Sequence, residues 1–288
     1  MRRVSVLLLA VLLASCHGTP PANPHYVLGS PYPADGIWYY PRESFELHET
    51  GLATVYRSDH PDLTADGEVF DQSALAAAHQ TLQLPAIARI TNLENGRQVV
   101  VRINDRGPAT PHRLLEVTRR TATLLAFPSD GVARVRLEVL ADQSQAAVDA
   151  VPGAPSLQIA AAPRGEVTQT DLPAPGSAAP VRTALVAGSP SRSTAAEAPP
   201  LRLPESISQV APDPGQLFVA LSSFQNYQYA AMQRARVAAL GATVVSRYEN
   251  GGQLFRIMIG PFTTVQQADS VLDQVLAAGV TDARIVVE

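Results

Sequence analysis

Behind Met1-Arg2-Arg3, residues 4–14 form a run of 11 residues that is apolar except for Ser5. A membrane-crossing helix needs about 20, so the run has the length of a signal-peptide core. The next regular pattern starts near residue 47 and lasts to 141. Within it, residues 52–56, 86–91, 98–103 and 132–140 alternate apolar and polar positions and are rich in β-branched side chains, which predicts strands. Asn95-Gly96, between the second and third of them, predicts a tight hairpin. Around residues 118–127 the apolar Ala122, Leu124 and Leu125 fit a short helix. The sum is a mainly β domain, a small barrel with one or two short helices.

The pattern then breaks. Residues 142–212 hold 11 prolines and many Ala and Ser, and no aromatic residue occurs between Phe127 and Phe218. Such a stretch cannot bury enough apolar surface to fold, which predicts a long disordered linker. As a random coil it would span about 45–50 Å, and fully extended roughly 220 Å. Order returns at 213–288. Residues 218–224, 242–248, 255–262 and 283–287 read as strands, and 226–240 and 264–278 as helices stopped by Gly241 and Gly279. The order β-α-β-β-α-β is that of the ferredoxin-like split βαβ fold, an α+β unit. The expected organisation is therefore a signal peptide at 1–15, a tether at 16–46, a barrel at 47–141, a linker at 142–212 and a second domain at 213–288. The tether is rich in proline, and its Pro31-Tyr32 and the aromatic run at 36–41 are expected to pack on the barrel.

Composition narrows the function. A net charge of −4 excludes a strongly basic nucleic-acid binder, and the second domain lacks the aromatic-rich strands of RNA-recognition modules, so no nucleic-acid partner is expected. The single cysteine excludes a disulfide framework. The six histidines fall in no zinc-ligand motif, so neither metal nor cofactor is expected. That one cysteine ends Leu13-Ala14-Ser15-Cys16, which resembles a bacterial lipobox. The likeness implies acylation of Cys16 by more than one chain, which exceeds the marginal hold of a single one. His17 stands where an Asp would retain a lipoprotein in the inner membrane, implying an outer-membrane protein facing the periplasm.

By themselves Asp66-Gly67 and Asp105-Arg106-Gly107-Pro108 read as turns, and His79 after three alanines as a packed or surface residue. Taken together, Thr64-Ala65-Asp66-Gly67-Glu68-Val69-Phe70-Asp71, Ala76-Ala77-Ala78-His79, and Val101-Arg102-Ile103-Asn104-Asp105-Arg106-Gly107-Pro108 resemble rare lipoprotein A, a family of bacterial cell-wall proteins with a double-psi β-barrel. Ser223-Phe224 and Arg256-x3-Gly260-Pro261-Phe262 resemble a SPOR domain, which binds septal peptidoglycan stripped of its peptides. The resemblance implies a six-stranded barrel and a lytic transglycosylase acting on denuded glycan strands at the division septum as a monomer. It implies Asp105 as general acid/base, Glu68 as a second carboxylate, and His79 as the residue that orients a carboxylate or the glycan. Thr64, Gly67, Asn104 and Arg106 in the barrel, and Ser222, Ser223, Phe224 and Arg256 in the SPOR domain, are the implied glycan contacts.

The chain departs from the family pattern at Thr54-Val55-Tyr56-Arg57, at Asp59-His60-Pro61-Asp62-Leu63, at Leu115-Glu116-Val117-Thr118, and at Ala220, where a glutamine is usual. The first three border the implied cleft. They keep open a second reading, a non-catalytic glycan-binding lipoprotein that ties the outer membrane to septal wall.

Overall fold

The computed structural model describes residues 21–34, 37–57, 59–155, 202–249 and 251–288. The expected signal peptide, Cys16 and most of the stretch expected to be a linker lie outside the described residues.

The barrel opens with a short hairpin, β1 (Tyr32–Ala34) and β2 (Ile37–Tyr39). Six further strands close on themselves: β3 (His48–Val55), β4 (Ala76–His79), β5 (Ala86–Asn92), β6 (Arg97–Asp105), β7 (Leu115–Val117) and β8 (Val132–Val139). Their spatial order is β4-β7-β3-β8-β5-β6, and a β4–β6 pairing completes the ring. The β3–β7 and β4–β6 pairs are parallel and the others antiparallel, the mixed pairing of a double-psi barrel. Closure removes the free edges that an open sheet of this size would expose. Alternation along β8 buries Ala133, Val135, Leu137 and Val139 while Arg134, Arg136 and Glu138 face outward. Ala53, Ala77, Ile103, Leu115 and Val117 join them in the core.

Helix α1 (Arg119–Leu124) is shorter than its pattern suggests; Thr118 caps it by accepting from the Thr121 amide. The folded unit continues past the boundary that composition set. Helix α2 (Ala141–Asp149) packs on β5, and strand β9 (Ile207–Gln209) adds to the outer edge of β6. Leu203 is buried in the barrel core. Both ends of the stretch read as linker therefore lie on the barrel, because a few apolar side chains (Ala147, Val148, Leu203) suffice where a preformed surface receives them.

The C-terminal domain runs β10 (Leu217–Phe224), α3 (Tyr227–Arg236), β11 (Thr243–Glu249), β12 (Gly252–Phe262), α4 (Val265–Ala277) and β13 (Arg284–Val287). The antiparallel sheet has order β11-β12-β10-β13. This matches the expected β-α-β-β-α-β order. One expected helix is divided: α3 ends at Arg236 and a 3-10 turn covers Ala238–Leu240 before the left-handed Gly241. The helices cover one face of the sheet over Leu217, Val219, Ile257, Ile259 and Ile285.

The domains touch. Leu52 and Leu93 of the barrel pack in the same cluster as the C-terminal core. Thr50 Oγ1 donates to the Val287 carbonyl at 2.7 Å. Arg113 reaches Asp269 with both guanidinium ends, at 2.7 and 3.0 Å.

Candidate active site

The site begins with the register of β4 and its neighbours. Ala77 pairs with Ile103 of β6, but the next residue, Ala78, pairs with Asp105. Asn104 is thus an extra residue, a bulge of the kind that re-aims a side chain. Ala78 shares a face with Ala76, whose partner is Arg102, so the bulge returns Asp105 to the face of Arg102. On the other side of β4, Ala78 pairs with Glu116 of β7. Asp105 and Glu116 therefore flank one small alanine on the same face.

Asp105 is held by two backbone amides, a tyrosine hydroxyl and an imidazole. Its Oδ1 accepts from the backbone amides of Ala65 and Arg106, each at 2.8 Å. Its Oδ2 meets the Tyr56 hydroxyl at 3.3 Å and His60 Nε2 at 2.6 Å. His60 stacks on Phe70 with ring centroids 3.9 Å apart, and Tyr56 meets both rings edge-on. Burial and the Asp105 and Glu116 carboxylates push the Tyr56 hydroxyl well above its ordinary value, so it stays a donor. Burial also pushes the Glu116 carboxyl up, against the pull of the Ala109 amide at 3.0 Å, and its Oε1 is buried without a hydrogen-bond partner among the described residues.

Glu68 lies beside Arg102 and Asn104. Arg102 Nε donates to its Oε1 at 2.6 Å and Asn104 Nδ2 to its Oε2 at 2.7 Å. Thr64 shapes the turn that presents it, with its hydroxyl donating to Asp66 at 2.8 Å and accepting from the Glu68 amide at 3.1 Å. Asp66 is fully buried, and burial together with the Glu68 carboxylate pushes its carboxyl up to about 7. A cleft of about 240 Å³ opens beside Glu68, walled by Val69, Phe70, Leu75 and Pro24.

Other expected site residues make contacts within the fold. The amide of Asn23 donates to the Gly67 carbonyl, and that of His25 to Asp66, so the N-terminal segment lies across this turn. Gly67 has φ +82°, and a Cβ there would stand 2.3 Å from the Asn23 carbonyl oxygen. Arg106 donates to the Leu28 carbonyl at 2.6 Å and clamps the same segment. His79 contacts neither Asp105 nor Glu68. It points to the opposite face of β4, with Ala77, where Nδ1 accepts from the amides of Thr81 and Leu82 and Nε2 lies 3.7 Å from Glu49. The carboxylate it faces is Glu49. Burial alone would raise that carboxyl, yet His79 and the Arg284 guanidinium at 2.6 Å hold it down at about 2.

In the C-terminal domain a second bulge, between Ala220 and Ser223, places Ser223 opposite Arg256 on the face away from the helices. Arg256 Nε donates to Ser223 Oγ at 3.0 Å. Phe218, Met258 and Val286 form the apolar floor of that face around Ala220. Ser222 bonds to Asp282. Phe224 instead is half-buried and packs against the core on the helix side of the sheet. Tyr56, His60 and Glu116, which complete the Asp105 cluster, were visible in the sequence only as departures from a family pattern.

Fold and site together define a double-psi barrel with a carboxylate cluster, joined to a sheet-and-helix SPOR domain. Residues 48–137 match the lytic transglycolase family and residues 213–285 the SPOR domain family. The endolytic peptidoglycan transglycosylase RlpA of Pseudomonas aeruginosa PAO1 is 28% identical over 292 residues, covering 94% of this chain and 78% of that protein. RlpA of Rickettsia felis is 37% identical over 125 residues, covering 42% of this chain and 55% of its own length. RlpA of Campylobacter jejuni is 42% identical over 113 residues, covering 38% and 41%. The chain thus combines a lytic transglycolase region with a SPOR region and is similar to these RlpA proteins.

Proposed function

We propose that this protein is an endolytic lytic transglycosylase. It cuts the bond between N-acetylmuramic acid and N-acetylglucosamine in peptide-stripped glycan at the division septum and leaves 1,6-anhydro ends. The observation that carries the reading is the gathering of Asp105, Glu116 and the Arg102-held Glu68 on one face of the barrel, inside the stretch matched to the lytic transglycolase family. The reaction needs one carboxyl that protonates the leaving oxygen and then accepts the proton of the sugar's own C6 hydroxyl. No second carboxylate attacks the sugar, unlike the retaining hydrolases. Asp105 takes the proton-transfer role. Glu68, fixed by Arg102 and Asn104, stabilises the positive charge that develops on the sugar ring. His79 supports β4 from behind.

The remaining parts deliver the barrel to its substrate. Acylated Cys16 anchors the protein to the outer membrane on its periplasmic side. The open face of the SPOR sheet, with Ser223 and Arg256 above Phe218 and Met258, binds the stripped glycan. Binding at that face raises the effective glycan concentration at the barrel.

Product analysis tests this. The whole chain is incubated with peptide-stripped sacculi beside Asp105→Asn and Glu68→Gln. Anhydro-ended sugars from the native chain, lost about 10²–10⁴-fold in Asp105→Asn, are expected. Reducing ends would mean hydrolysis. The cover of His60, Phe70 and Tyr56 over Asp105 favours one alternative, a glycan-binding tether without cleavage. Sacculus binding without any released sugar would establish that alternative.

A further inference from the structure

His60 stands on the loop after β3, and both of its ring nitrogens are engaged. Nδ1 lies 2.7 Å from the Pro61 carbonyl oxygen. A carbonyl oxygen only accepts, so Nδ1 carries a hydrogen. Nε2 lies 2.6 Å from Asp105 Oδ2. With Nδ1 protonated, a neutral ring would turn the lone pair of Nε2 against an ionised carboxylate oxygen at that distance. A hydrogen must lie between them. It comes either from an imidazolium or from a protonated Asp105, and in both cases the pair carries one proton more than a neutral imidazole beside a carboxylate. This proton is assigned from its neighbours.

The surroundings keep the pair together. Phe70 stacks on one face of the ring and Tyr56 meets its edge, leaving the His60 side chain 15% exposed and that of Asp105 7%. The charged and titratable groups that face the ring are Asp105 at the end of β6, Tyr56 after β3 and Glu116 on β7. Arg57 and Asp59 on its own loop pair with each other at 3.3 Å.

We propose that His60 is a positioning residue of the cleavage site: its imidazole shares one proton with Asp105 and keeps that carboxyl loaded for transfer to the glycosidic oxygen. The inference rests on the cleavage reading above. In the step, the bond from the muramic C1 to the bridging oxygen breaks and the dyad's proton goes to that oxygen. The C6 hydroxyl oxygen bonds to C1, and its proton returns to the dyad. No water or second acid is consumed, and the enzyme ends in its starting state. Without His60 the carboxyl loses the ring nitrogen that shares this proton at 2.6 Å, while the glycan contacts stay.

The test compares native chain, His60→Gln and His60→Ala on peptide-stripped sacculi, with kcat and KM measured across pH. For His60→Gln we expect kcat to fall about 10²–10³-fold with KM within threefold. The basic limb of its kcat profile moves to lower pH. Added imidazole restores part of the rate of His60→Ala. Nuclear magnetic resonance of histidine-labelled native chain supplies the second readout, a hydrogen on both ring nitrogens or a strongly deshielded proton at Nε2. A His60→Gln profile with unchanged shape and kcat within threefold of native overturns the proposal. So does a bare Nε2 in a native chain that releases anhydro sugars, which would leave the cleavage reading standing. A native chain that releases none overturns both.

Discussion

At the scale of single residues, the site is built from charges that answer one another. The Arg102–Glu68 pair has side chains only 3% and 11% exposed. Arg102→Met would strand the Glu68 carboxylate in a buried position, at a cost of about 3–5 kcal/mol. Urea unfolding should therefore lose that much stability, and a loss under 1 kcal/mol would mean Glu68 finds water or another donor. Asp66 behaves oppositely to an ion-paired acid. Its folded carboxyl is raised to about 7 from an ordinary value of 3.8, so the folded state favours its protonated form. That contribution is complete below pH 4 and is lost as pH rises through about 7. Asp66→Asn should gain stability relative to the native chain between pH 4 and pH 7, read as a widening gap in unfolding midpoints. Of these residues, Glu68 and Asp105 were legible because their motif is local and specific. His60 was not: it meets Asp105 across 45 positions of sequence, and nothing in Asp59-His60-Pro61 signals which strand end it will cover.

At the scale of elements, the long alternating strands could be read directly. Residues 98–103 and 132–140 fall inside β6 and across β8 because one buried face of a barrel forces a period of two. Short strands could not. Ala76–His79 has three alanines and no alternation, and it becomes β4 only because β6 and β7 hold it on both sides. Helix α2 was hidden for a related reason. Its residues look like the linker that follows, and beside the buried Ala147 and Val148 it is held by one polar side chain that composition does not reveal. Ser144 Oγ accepts from the Ile87 amide and donates to the Ile87 carbonyl, both at 2.9 Å, with no exposure to solvent. Leu140 also donates to that carbonyl, so Ser144→Ala leaves only the Ile87 amide without a partner. The expected cost is about 1–3 kcal/mol, with faster amide exchange confined to α2 and the adjoining part of β5. A uniform loss of protection through the barrel would contradict this.

At the scale of the whole molecule, two domains separated by a long proline-rich stretch are brought against each other. The link is partly electrostatic. Burial would raise the Asp269 carboxyl, yet His112 and Arg113 hold it down at about 2. A lowered acid contributes stability above its ordinary range, and that contribution is lost as pH falls through about 2. The docking should hold at neutral pH and weaken between about pH 4 and pH 2. Asp269 is a quarter exposed, so screening by solvent keeps the neutral-pH cost of Asp269→Asn near 1 kcal/mol. Small-angle scattering should show a larger radius of gyration for that variant; an unchanged radius would mean that the apolar contacts of Leu52 and Leu93 suffice.

The sequence by itself determined the two folded regions, their strand-rich and mixed characters, and the motif carboxylates. Each of these is written in local periodicity or in a run of neighbouring residues. Only the tertiary structure decided which face each carboxylate took, because one extra residue in β6 turns Asp105 and one in β10 turns Ser223. It also decided that His79 lies against Glu49 and that Phe224 packs against the helix-side core, since the direction of a side chain depends on register with a partner strand that no local pattern contains.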